Sequence, residues 1–123
     1  MQIGEFIKTV ETTKDTVRYY EELGMICPSW QNNRRIYAPK DIQDFQAIKE
    51  MQAFGLSLKE VQGVFGLKRS NGCGSPELLG SITEKLQEQQ RQLQQEEQEL
   101  KYKQEQIGEM LDMLRFVETE RKE

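Results

Sequence analysis

Arg18 and Tyr19, adjacent on a stretch of helical spacing, and Arg34 and Arg35, adjacent on a stretch of hairpin texture, are the residues best suited to chemistry. A guanidinium can bond two acceptors of a guanine edge or grip a phosphate, and a tyrosine hydroxyl can reach a phosphate. Lys14 and Lys59 each fall in the first turn of an expected helix, where free backbone N–H groups also favour an anion. Ordinary alternatives stand beside these readings. Arg18 can pair with Glu22 one turn on, Tyr19 can simply pack, and Arg34 and Arg35 can belong to a solvated turn. For Tyr37, strand packing and a phosphate contact are equally open.

Other chemistries are excluded early. The 123 residues contain no histidine and two cysteines, Cys27 and Cys73, 46 positions apart. That removes imidazole acid–base catalysis, the Ser-His-Asp triad and every histidine-containing zinc site. Neither phosphate-binding glycine motif occurs, so no enzyme, no cofactor and no metal site are expected. Reduced thiols in the cytoplasm are the default. No apolar run approaches the roughly 20 residues that cross a bilayer, so no membrane partner is expected either.

The charge is divided unevenly along the chain. The chain carries 17 Lys+Arg and 21 Asp+Glu, a net of -4, which taken whole argues against nucleic acid. Residues 1–70 hold 10 basic and 9 acidic groups, a net of +1, and residues 71–123 hold 7 and 12, a net of -5. The acid therefore lies mostly in the second half.

The elements that must position the arginines follow from periodicity and punctuation. A first helix is expected over about residues 4–10, with Phe6, Ile7 and Val10 inward. A second runs over about residues 14–23, with Thr12 or Thr13 as N-cap and Gly24 as its left-handed stop. Within it Val17 and Tyr20 share an inward face, opposite Asp15, Arg18, Tyr19 and Glu22. Trp30 and Ile36-Tyr37 flank Asn32-Asn33, the signature of a short hairpin. Pro39 opens a third helix to about Phe54, and Ser57 and Glu60 form a capping box for a fourth, with Val61, Val64 and Phe65 inward. Cys27, between Ile26 and Pro28, is expected to be buried. Residues 68–76, rich in Gly, Ser and Asn, form the expected linker.

Beyond it, Leu79, Leu86, Leu93, Leu100, Ile107 and Leu114 recur every seven residues. The second seam is apolar only at its ends, at Ile82 and at Met110 or Leu111, and is filled by Gln89, Glu96 and Lys103 between. Residues 77–119 therefore form a coiled-coil helix about 60 Å long, with a tail at 120–123. One such stripe cannot bury itself, so the expected partner is a second copy in a two-stranded coil. Nine of the twenty residues from 87 to 106 are Gln, which suits a solvated helix face.

Residues 3–65 resemble the MerR family of bacterial transcription regulators. The resemblance rests on Ile3-Gly4-Glu5, on Val17-Arg18-Tyr19-Tyr20-Glu21-Glu22-Leu23-Gly24, on Arg35-Ile36-Tyr37 with Asp41-Ile42, and on residues 54–61. It implies a mainly α architecture: a winged helix-turn-helix DNA-binding head (1–67), with a two-stranded hairpin as one wing and a helical second wing. A linker (68–76) and an antiparallel dimerisation coiled coil would follow. It further implies a homodimer on a two-fold-related element of double-stranded promoter DNA, distorting an overlong spacer so that RNA polymerase engages both promoter elements. The implied DNA contacts are Thr13, Lys14, Asp15, Arg18, Tyr19, Arg34, Arg35, Tyr37 and Lys59. The implied dimer contacts are Leu79, Ile82, Leu86, Leu93, Leu100, Ile107, Leu111 and Leu114.

Three residues depart from the family pattern. Glu11 stands where a turn glycine is usual, which bears on the turn's shape. Asp15 replaces a frequent basic residue, and Asn33 a frequent wing glycine. Family sensor modules lie beyond the coil, where this sequence offers no cysteine-bearing loop, so a metal response is not expected. Two alternatives to plain regulation remain: a regulator sensing thiol chemistry at Cys73, and a coiled-coil adaptor that does not bind DNA.

Overall fold

The computed structural model describes residues 1–122. Five helices and one hairpin follow in the order α1 (Ile3–Thr9), α2 (Lys14–Glu22), β1 (Ser29–Gln31), β2 (Arg34–Ile36), α3 (Pro39–Ala53), α4 (Leu58–Asn71) and α5 (Pro76–Lys122). The architecture is the mainly α, winged helix-turn-helix one expected, with a long C-terminal helix. Two compact units divide it, one spanning Met1–Lys85 and one beginning at Leu86.

Local chemistry accounts for most element ends. The Thr13 hydroxyl accepts the Thr16 N–H at 3.2 Å, capping α2. Gly24 takes φ 74°, and its N–H closes on the Glu21 carbonyl at 2.9 Å, which stops that helix. Asn32 and Asn33 both hold positive φ, 50° and 61°, as a two-residue primed turn between β1 and β2 requires. The Ser57–Glu60 capping box is formed in both directions, at 3.1 and 3.2 Å. Glu11 sits at the turn between α1 and α2. It adopts the left-handed conformation itself, φ 55°, at a cost of about 1 kcal/mol that a glycine would avoid.

The head closes over one apolar core. Phe6 of α1, Val17 and Tyr20 of α2, Phe45 and Ile48 of α3, and Val61 and Phe65 of α4 are all buried, joined by Met25, Ile26, Tyr37 and Leu56. The Tyr20 hydroxyl finds Gln52 of α3 at 3.2 Å, so this tyrosine is structural. The 3–4 spacing along α3 thus points Phe45 and Ile48 into the core shared with α1 and α2.

Two boundaries differ from the sequence reading. Residues 68–71 are helical rather than linker, and irregular chain is confined to 72–75. Tertiary contacts outweigh composition here: Lys68 Nζ reaches Asp44 of α3 at 2.7 Å, and the Arg69 guanidinium lies against Gly24. Ser75 then caps α5 by accepting the Leu78 N–H at 3.2 Å. At the other end the expected tail is also helix as far as Lys122, while Glu123 lies outside the described residues. No helix among the described residues is long and apolar enough to cross a membrane.

Candidate nucleic-acid interface

The α2 helix and the hairpin bring the arginines together. Arg18, Arg34 and Arg35 line one surface hollow of about 240 Å³, with Gln2, Ile3, Trp30 and Asn33. Register explains the arrangement, since Trp30 pairs with Arg35 and Gln31 with Arg34 across the two strands. The Arg35 guanidinium sits 4.6 Å from the Trp30 ring centroid, a cation–π contact with an indole 60% exposed. Arg34 is exposed at the turn.

Beneath the arginines lies an acid. Glu21 accepts the Tyr37 hydroxyl at 2.7 Å on Oε1, and its Oε2 faces Arg35 Nε at 3.3 Å and Arg18 Nε at 3.9 Å. Arg18 therefore pairs with the residue three positions on, not with Glu22. At 3.9 Å that contact is an ion pair but not a hydrogen bond, and the buried Arg18 Nε is left without one.

Tyr37 is not a surface contact. Its ring is 1% exposed and stacks on Phe6 with centroids 4.4 Å apart and planes 11° from parallel. The residue directly follows β2, and the α1 face draws its ring inward, so its assignment as a DNA contact is replaced by a core role. Burial pushes the Tyr37 hydroxyl well above the ordinary phenol range, and the hydrogen bond to Glu21 and that residue's negative charge add to the effect. The native state thus holds this proton more tightly than the unfolded chain does. The resulting stability is complete below about pH 10, the ordinary phenol value, and is lost as pH rises above it. Thermal melts should accordingly show stability falling on the alkaline side, with Tyr37→Phe removing part of the fall. Equal alkaline slopes in the two proteins would contradict the arrangement.

The remaining expected contacts lie around the hollow rather than in it. Lys14, Asp15 and Tyr19 are exposed along α2, Tyr19 by 49%. Thr13 is exposed too, though its hydroxyl is engaged as the helix cap. Lys59 is exposed in the first turn of α4 and does not line the hollow. Glu21 and Trp30 were not among the sequence candidates. Trp30 could have been found by counting back from the Asn32-Asn33 turn, which places it opposite Arg35; Glu21 could not, because two of its three partners, Arg35 and Tyr37, come from the hairpin and its exit rather than from its own helix.

Both cysteines are free and exposed. Cys27 is thus corrected from buried packing: its Sγ points to the Gly24 carbonyl at 3.7 Å, while Lys40 Nζ holds its own carbonyl at 2.8 Å. Cys73 lies in the short segment between α4 and α5, and the basic groups before it are engaged elsewhere, Lys68 with Asp44 and Arg69 against Gly24. Among the described residues no group of three His, Cys, Asp or Glu side chains could hold a metal ion.

Comparison with known proteins matches residues 1–67 to the family model described as MerR HTH family regulatory protein. Among curated relatives, the heavy metal-dependent transcription regulator 2 of Rhizobium meliloti is 25% identical over 95 residues, covering 76% of this chain and 65% of that protein. The transcriptional regulator ZntR of Escherichia coli is 30% identical over 92 residues, covering 71% and 64%. The chain thus spans slightly less than two thirds of these relatives' lengths. Two solved structures share the fold: the lead(II) complex of the transcription regulator PbrR691 of Ralstonia metallidurans (TM-score 0.53, 26% identity, 81% of each chain) and a MerR family regulator of Listeria monocytogenes (TM-score 0.63, 25% identity, 84% and 82%). The relatives are transcription regulators, not enzymes. With more than half its length matched by that model, and with the helix-turn-helix, hairpin and long helix in sequence, the chain belongs to the MerR family of helix-turn-helix regulatory proteins.

Proposed function

We propose that the chain is a homodimeric transcriptional regulator that binds a two-fold-related element of double-stranded promoter DNA. The observation that carries this reading is the shared hollow, in which one arginine from α2 and two from the hairpin converge. With α2 in the major groove, Lys14, Asp15, Arg18 and Tyr19 face base edges and backbone, and Arg34 and Arg35 lie over the flanking minor groove or its phosphates. The net charge of only +1 over residues 1–70 is then sufficient, because a few placed cations act and a dimer doubles them.

The second support is the bare stripe of α5. Leu79, Leu93, Leu100, Ile107 and Leu114 are 50–61% exposed, Leu86 is 38% and Leu111 45%. An antiparallel pairing of two α5 helices, with Ile82 at the start of the second seam, covers this stripe and spaces the two heads for two half-sites. Regulation would follow by bending and untwisting of the promoter spacer, which costs about several kcal/mol of elastic energy, to the advantage of RNA polymerase.

A mobility-shift titration against the chain's own upstream promoter tests the reading. Binding should weaken steeply with salt, and Arg18→Ala should cost about 1–3 kcal/mol, roughly 5- to 150-fold, chiefly on the cognate duplex. No binding at low salt would favour a protein-interaction adaptor instead.

A further inference from the structure

The acid beneath the arginines is misplaced for a surface that meets phosphate. A carboxylate on the reading helix subtracts from attraction to DNA, so a contribution to affinity does not explain it. Its surroundings do. Glu21 is only 11% exposed in its side chain, and it faces three groups from two segments: Arg18 on its own helix, and Arg35 on β2 with Tyr37 just beyond it, where the hairpin enters α3. The Tyr37 leg is rigid, because that ring is buried and stacked on Phe6. The Arg35 leg is fixed from two sides, by Glu21 at its Nε and by the face of Trp30.

Both arginines face Glu21 through Nε, which leaves the forked end of each for a ligand. One anion between two cations also holds them near each other in the absence of DNA, when they would otherwise repel. The buried Arg18 Nε, 3.9 Å from Oε2, has no other hydrogen-bond partner, so Glu21 is the anion it faces.

We propose that Glu21 is a positioning residue that sets Arg18 and Arg35 as a preformed pair spanning helix and wing, giving up raw attraction to DNA in return for sequence discrimination. The proposal rests on the DNA-binding reading above. Preorganisation of this kind lowers the ordering cost of binding only on a duplex whose groove and backbone match the preset spacing.

The test uses the full chain, a duplex enriched by the wild type from a random-sequence pool, and a shuffled duplex of the same composition. Glu21→Gln should lower the ratio of cognate to shuffled affinity about 10-fold or more, while shuffled binding holds or tightens with the added positive charge. Trp30, the single tryptophan, reports the wing directly: its fluorescence should become more open to acrylamide in Glu21→Gln before any DNA is added. Tyr37→Phe keeps the ring and removes the anchoring hydroxyl, so it should shift both readouts the same way by a smaller amount. It also decides the matter if Glu21→Gln does not fold. Proportional change on both duplexes, or an unmoved Trp30 signal, overturns the positioning role alone. A wild type that enriches no duplex overturns the DNA-binding reading itself.

Discussion

Replacing Leu93 and Leu100 together by aspartate should leave a monomer with an intact head and promoter binding weakened by three orders of magnitude or more. Both side chains are half exposed or more in the single chain, so the monomer loses little by the change. In a paired coil each would be buried, and each counts twice. Four leucines at about 2 kcal/mol give about 8 kcal/mol, roughly the whole free energy of a micromolar dimer, before any charge repulsion. Promoter binding falls with it, because the second head is no longer held at an effective concentration of about millimolar but supplied from nanomolar solution. Sedimentation equilibrium and mobility shift read the two effects separately. A substituted chain that stays dimeric would remove α5 from the interface, and one that becomes monomeric yet binds equally well would detach dimerisation from DNA recognition.

The features legible from sequence share a cause: their determinants lie within a few residues of each other. Asn32-Asn33 names its own turn, Ser57 and Glu60 their own cap, and Thr13 and Gly24 the two ends of α2. Side-chain period does the same for α3 and for the seven-residue stripe. What escaped depends on partners far along the chain. Residues 68–71 look like linker until Asp44 and Gly24 are placed beside Lys68 and Arg69. Cys27 follows two buried residues yet is exposed, with its carbonyl held by Lys40 from α3, 13 residues on. Tyr37 follows a strand only three residues long, too short for alternation to assign it a face. The same limit applies to the site. Its arginines can be picked out by type, whereas the acid between them has no local signature, since Glu21 and Glu22 are chemically identical neighbours and only the hairpin distinguishes them.

Phe6→Ala should cost about 3–5 kcal/mol, the loss expected when a fully buried aromatic is emptied from a core that cannot collapse around it. The ring has no exposed surface, stacks on Tyr37, and meets Phe45 edge-on with centroids 6.2 Å apart, so no neighbour can move in without losing its own contacts. In a small head with about 5–10 kcal/mol in total, that is a lowering of Tm by roughly 15–30 °C. The coil confuses a far-UV melt, because α5 alone supplies 47 helical residues. Trp30 fluorescence follows the head instead, since its indole stands over Arg35 in the wing. Below the lowered Tm the effect on recognition should still exceed the effect on folding. Without Phe6 the Tyr37 ring loses its stacking partner, the Tyr37 hydroxyl no longer fixes Glu21, and the arginine pair loses its common anchor. Phe6→Leu separates these two consequences: it refills most of the volume and should recover most of the stability, but it restores no flat surface for Tyr37 to stack on. If Phe6→Leu regained full cognate discrimination along with its Tm, the stack would matter only as bulk, and the rigid path from Phe6 through Tyr37 to Glu21 would be wrong.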